Sequence, residues 1–75
     1  MKYDLYIRKL GEHIRQLREE KGFTQEAFAA KINRDRQSYQ RIELGKTNPT
    51  MHYLLDIAEG FNISFKELFN FSVEE

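Results

Sequence analysis

Seventy-five residues amount to one domain with a small core, since a chain of this size buries only about 60% of the surface it exposes unfolded. The absence of cysteine excludes disulfides and thiolate metal sites, and two histidines do not complete a zinc site of the usual kind. Twelve Lys and Arg balance twelve Asp and Glu, and 40% hydrophobic residues are too many for a disordered chain.

No apolar run approaches the ~20 residues of a membrane span. The first residues, Met1 to Tyr6, lack the apolar stretch of a secretory signal. These features lead to the expectation of a soluble, cytoplasmic protein whose small core is supported by oligomerisation. The zero net charge is unevenly spread. Lys31, Arg34, Arg36, Arg41 and Lys46 face only Asp35 and Glu43 in the middle of the chain, whereas beyond residue 46 Lys66 faces five acidic groups.

Strand signals are nearly absent, with a single valine and no period-two run, so every segment suits a helical period. The first predicted helix runs from about Asp4 to Lys21. Ile7, Leu10, Ile14 and Leu17 line one face at spacings of three and four. Gly11, inside it, marks a place for close approach by another helix, and Gly22 fits the left-handed position past its end.

The second helix starts at the N-cap Thr24 and carries Phe28 and Ile32 on one face. Asn33 takes the left-handed turn, and Asp35 caps a third helix from Arg36 to Leu44 that Gly45 stops. Lys46-Thr47-Asn48-Pro49 reads as an extended loop, because proline keeps Asn48 out of the helical region. Thr50 caps a fourth helix through Phe61, ended by Asn62. Ser64 and Glu67 form a capping box that opens a short fifth helix over about 64–71. The expected fold class is all-α: one compact five-helix domain over residues 1–75.

Catalysis has no support. There is no Ser/His/Asp arrangement, Gly-rich phosphate loop or HExxH, and the carboxylates are spread over helix faces. His13 and His52 read as ordinary surface or boundary residues. The two glycosylation-like sequons, at Asn62 and Asn70, read as chance matches. The protein is therefore expected not to be an enzyme and to need no cofactor or metal.

The informative feature is the helical pair over residues 24–44. In a helix-turn-helix the second helix enters the major groove and the first crosses the backbone. Ala29 supplies the small residue for a close crossing, and Tyr39 and Ile42 anchor the second helix from beneath. Its outward face carries Arg36, Gln37, Gln40 and Arg41. Arginine pairs bidentately with guanine, and glutamine with adenine. Arg34 and Arg36, at the helix start, suit phosphate or base contact. A hairpin with a polar face is also common on surfaces without any partner, so these side chains alone leave both readings open.

The chain resembles the Cro/lambda-repressor-type helix-turn-helix family, the XRE family. The likeness rests on Leu17-Arg18, Lys21-Gly22, Thr24-Gln25-Glu26, Ala29 and Lys31, followed by Arg41-Ile42-Glu43, Gly45-Lys46 and Asn48-Pro49, and spans residues ~6–70. Small stand-alone members include phage Cro and restriction–modification controller proteins. The resemblance implies a lambda-repressor-like fold and a sequence-specific, double-stranded DNA-binding regulator. Gln25 and the Lys46-Thr47-Asn48 loop would hold phosphates, together with Arg34. Arg36, Gln37 and Arg41 would face bases, with Gln40 nearby, and Arg18 and Glu43 would form a structural ion pair.

Asn33 departs from the glycine usual at the turn. Tyr39 departs from Ile or Val, and its hydroxyl is expected at the surface near phosphate. One recognition helix covers about half a site, so a homodimer on a near-palindromic operator is expected. Phe61, Ile63, Phe65, Leu68, Phe69 and Phe71 are its candidate interface, unless they simply close the monomer core. No small-molecule effector is expected, and repressor and activator roles remain equally open. The alternative is an antitoxin-like protein-interaction module with weak or no DNA binding.

Overall fold

The computed structural model describes residues 3–73, so Met1 and Lys2 and the acidic pair Glu74 and Glu75 lie outside the described part. Five helices follow in order: α1 (Asp4–Glu20), α2 (Gln25–Lys31), α3 (Arg36–Glu43), α4 (Met51–Phe61) and α5 (Phe65–Leu68). No described residue is in a strand.

Four of the helices start from side-chain caps. The oxygens of Thr24, Asp35, Thr50 and Ser64 accept from the backbone N–H three residues on, at 2.8–3.1 Å. Each bond satisfies an amide with no partner inside its helix. At α5 the Glu67 carboxylate also accepts from the Ser64 backbone N–H at 3.1 Å, which closes the capping box.

The ends of α1 to α4 share one device: a residue with positive φ reverses the chain. These residues are Gly22, Asn33, Gly45 and Asn62, with φ of 80°, 63°, 71° and 57°. In each case the next residue's N–H reaches back five positions, as from Arg34 to the Ala29 carbonyl at 2.8 Å. Asn33 thus does the work of a glycine at the turn between α2 and α3.

The core centres on Phe28, whose ring stacks on Phe61 at 4.1 Å between centroids and tilts against Tyr39 at 5.3 Å. Ile14, Ile42, Ile57 and Leu68 close around these rings, fully buried. Ala29 is buried where α2 meets α3. Gly11 lets α1 lie directly on the end of α3. A Cβ there would stand 2.6 Å from the Glu43 carbonyl oxygen and closer still to that of Ile42.

The fifth helix is shorter than the 64–71 expected. After Leu68 the N–H groups of Phe69 and Asn70 reach back only three residues, and that of Phe71 bonds the Phe69 carbonyl at 2.9 Å. The tightened chain brings the Phe71 ring to 5.4 Å from His13 on α1. His13 also bonds the Glu67 carbonyl through Nε2 at 3.1 Å, fastening α5 to α1.

Candidate nucleic-acid interface

Helix α3 separates its residues by face. Tyr39, Ile42 and Glu43 are buried, Arg36, Gln37 and Arg41 are exposed, and Gln40 is half-buried. The buried side fixes the helix to the domain, so the exposed side is presented on a rigid support. The side chains of Arg36, Gln37 and Gln40 make no hydrogen bond or ion pair within the described residues, leaving their donors available. Arg41 is held differently: its Nη2 donates to the Lys46 carbonyl at 3.1 Å. That bond joins the exposed face of α3 to the loop that follows it, and Arg41 shares a shallow groove with Thr47, Asn48 and Pro49.

The end of α3 is anchored to α1 by a buried ionic cluster. Arg18 Nε donates to Glu43 Oε2 at 2.7 Å, and its Nη2 to Oε1 at 3.2 Å. Arg18 Nη1 donates to the Phe23 carbonyl at 2.7 Å. Gln25 Nε2 adds a third donor on Glu43 Oε1 at 2.9 Å. Burial by itself would raise the Glu43 pKa, but the hydrogen bonds from its neighbours outweigh it and hold the carboxyl below its ordinary range. The bond to Glu43 in turn raises the Arg18 pKa.

The start of α3 is tied to α4. Ser38 Oγ and Tyr53 Oη share a hydrogen bond of 2.9 Å. Arg34 donates to Asp56 Oδ2 at 2.7 Å while its guanidinium lies 4.3 Å from the centre of the Tyr53 ring. Arg34, expected at phosphate, is therefore engaged within the molecule, because Tyr53 and Asp56 present an aromatic face and a carboxylate beside the turn. Gln25 is likewise turned toward Glu43. Lys46 and Asn48 are exposed and Thr47 is half-buried.

Two expectations of exposure change. The Tyr39 hydroxyl is not at the surface: the residue is wholly buried, and its Oη has no hydrogen-bond partner among the described residues. The ring points into the core against Phe28, which carries the hydroxyl in with it. Burial first, and then the neighbouring Glu43, push its pKa well up. Of the six candidate interface residues, Phe61 and Leu68 are consumed by the monomer core. Ile63, Phe65 and Phe71 are half-buried, and Phe69 is 40% exposed.

Sequence reasoning missed Arg15. It lines an open groove of about 600 Å³ with Arg36, Gln25 and Leu44, although its Nε is already paired with Glu19 at 3.2 Å. Its position one turn before Arg18 on α1 was the available signal. The roles of Tyr53 and Asp56 had none, since both act on residues far away in sequence. Among the described residues no helix is long and apolar enough to cross a membrane, and no three His, Asp or Glu side chains are placed to hold a metal.

Known proteins are similar to this chain. The control protein C.MunI of a Mycoplasma species is 43% identical over 68 residues, covering 89% of this chain and 90% of that protein. An HTH-type transcriptional regulator of Archaeoglobus fulgidus is 39% identical over 62 residues, covering 83% and 89% respectively. Among solved structures, the restriction-modification controller protein C.AhdI from Aeromonas hydrophila aligns with a TM-score of 0.83 at 33% identity, over 85% of this chain and 97% of its own. The helix-turn-helix family pattern matches residues 14–68. The chain belongs to the helix-turn-helix family, of the XRE type, and is a DNA-binding transcriptional regulator by kind.

Proposed function

We propose that the protein is a sequence-specific regulator of the controller type that reads double-stranded DNA as a homodimer, with α3 inserted in the major groove. The observation that carries this reading is the division of α3. Arg36, Gln37 and Gln40 keep their donors unengaged, while Tyr39, Ile42 and Glu43 fix the helix behind them. Arg36 and Arg41 suit guanine, and Gln37 and Gln40 suit adenine. Lys46, Thr47 and Asn48 flank this row and suit the phosphate backbone, as does Gln25 once it turns outward. The Arg41 bond to Lys46 supports a shared placement of base-reading and phosphate-holding groups.

A second copy would sit against α5 and the segment after it. Phe65, Phe69 and Phe71 form a partly exposed ladder there, with ring centroids 5.0 and 6.4 Å apart. Two copies would place two reading helices ~34 Å apart on a near-palindrome. Regulation would follow from the concentration of the dimer.

Selection from random duplexes tests the reading. The expected result is a two-fold-related site whose half-sites lie one helical turn apart, with binding that weakens steeply as salt rises. Absence of binding to any duplex at low ionic strength, with a stoichiometric protein partner recovered instead, would favour a protein-interaction module.

A further inference from the structure

Helix α1 crosses the end of α3 at Gly11, whose missing side chain lets it lie on the carbonyls of Ile42 and Glu43. Arg8 precedes Gly11 by three residues and Arg15 follows it by four, so all three share one face of α1. Seven residues set the two arginines about 10 Å apart along the helix, one on either side of the crossing. The packing of α1 uses Leu10, Ile14 and Arg18 instead, which leaves Arg8 and Arg15 at the surface.

Each arginine enters a different groove. The stem of Arg8 runs along Gly45, where an added Cβ would stand 2.7 Å from Arg8 Cγ. Its groove, of about 690 Å³, is shared with Asp4, Lys46, Thr47 and Asn48. The Arg8 guanidinium makes no hydrogen bond or ion pair among the described residues. Arg15 lines the groove of about 600 Å³ that Thr24, Gln25 and Arg36 also line. Its pair with Glu19 is exposed on both sides, and such a pair holds weakly against a competing phosphate. In the first groove Asp4 stands against two cations. In the second Glu26 and Glu43 stand against three, and Glu43 is already answered by Arg18. Both grooves therefore favour an anion.

A duplex presents its major groove as a gap of about 12 Å between two phosphate backbones. A helix inserted there has one backbone on each side of it. We propose that α1 straddles this gap: Arg8 holds a phosphate of one strand beside Lys46, and Arg15 holds a phosphate of the other beside Gln25. The clamp rests on the insertion of α3 proposed above, and makes α1 a second DNA-binding element. Its contacts carry no sequence information. Holding both strands, they limit the depth and tilt at which α3 enters.

The test measures binding across salt concentrations, on the selected site and on an unrelated duplex. Arg8→Gln and Arg15→Gln should each lower the slope of affinity against salt by about one, and together by about two, on both duplexes alike. Between about 50 and 200 mM salt each variant should then lose about threefold less affinity than the unaltered protein. Arg8→Lys and Arg15→Lys keep the charge and should keep the slope. Lys31→Gln, the same charge change at the far end of α2, should leave it unaltered. Phosphate-ethylation interference should lose its signal on one strand of each half-site with Arg8→Gln, and on the other with Arg15→Gln. The proposal is overturned if either Gln variant keeps the full slope, if lysine fails to restore it, if Lys31→Gln lowers it equally, or if both variants lose contacts on the same strand. Those outcomes leave α3 as the reader. Failure of the unaltered protein to bind any duplex at low ionic strength would remove the DNA reading and the clamp together, and that result is visible before any variant is made.

Discussion

The guanidinium of Arg18 meets the carboxylate of Glu43 through two hydrogen bonds, of 2.7 and 3.2 Å, across 25 positions of sequence. The two side chains come from α1 and α3, and little of either reaches solvent: 10% for Arg18 and 1% for Glu43. Two-point contact fixes the rotation of α3 as well as its distance from α1, because the planar guanidinium accepts the carboxylate in a narrow range of angles. The exposed face of α3, the proposed reading face, is thus aimed by a pair that itself need not touch DNA.

Breaking that pair from one side should be severe. Glu43→Leu leaves Arg18 buried without its counter-charge and should cost on the order of 3 kcal/mol in urea unfolding. The double variant Arg18→Met, Glu43→Leu removes both charges and should recover much of the loss. Equal loss in the single and double variants would show that the pair contributes by packing alone.

Stability should depend on pH at both limits. Glu43 titrates below its ordinary 4.5 in the folded chain, so its contribution is present above about pH 4.5 and fades as pH falls through the lowered value. Asp35, lowered mainly by its bond from the Ser38 amide, acts in the same direction. Tyr39 and Tyr53 are raised above 10.0, first by burial, so stability is present below about pH 10 and is lost as pH rises further. Melting temperatures measured across pH should show a plateau with two falling limbs. Glu43→Gln should flatten the acid limb, and Tyr39→Phe part of the alkaline one.

Gly11→Ala should destabilise although alanine is the better helix former. The added methyl would meet the carbonyl oxygens of Ile42 and Glu43, which are backbone and cannot rotate aside. Forcing α1 from α3 should cost about 1–3 kcal/mol, against a helix-propensity gain of about 1 kcal/mol. A rise in unfolding midpoint would show that the two helices separate readily.

The groups proposed to read bases and those proposed to hold phosphates should separate in binding assays. Arg36→Ala and Gln37→Ala should cost about 1–3 kcal/mol at the selected site and relax preference at single base pairs. Lys46→Ala should weaken all duplexes similarly and reduce the slope of affinity against salt by about one. Arg41→Ala should do some of both, because its guanidinium also holds the Lys46 carbonyl. Unchanged selectivity in Arg36→Ala would remove that residue from the reading set.

Two neighbours on α5 should part company. Leu68 is fully buried, and Leu68→Ala should cost about 2–5 kcal/mol of monomer stability. Phe69 is 40% exposed, so Phe69→Lys should leave the monomer folded and shift the proposed dimer toward monomer in sedimentation. A dimer unaffected by Phe69→Lys would place the subunit contact elsewhere.

The helices and their punctuation, apart from the end of α5, were legible along the chain because these are local matters. Thr24, Asp35, Thr50 and Ser64 cap through bonds three residues long, and Gly22, Asn33, Gly45 and Asn62 turn the chain with their own φ. The outward row on α3 was legible for the same reason, since helical spacing assigns faces without knowledge of the neighbours. Which polar groups were already spoken for emerged from the folded chain alone. Arg34 found Asp56 and the Tyr53 ring, Gln25 found Glu43, and the Tyr39 hydroxyl was buried without a partner. It also divided the C-terminal aromatic residues, sending Phe61 and Leu68 inward and leaving Phe69 outside. Such outcomes depend on contacts between residues distant along the chain, and no spacing rule carries that information.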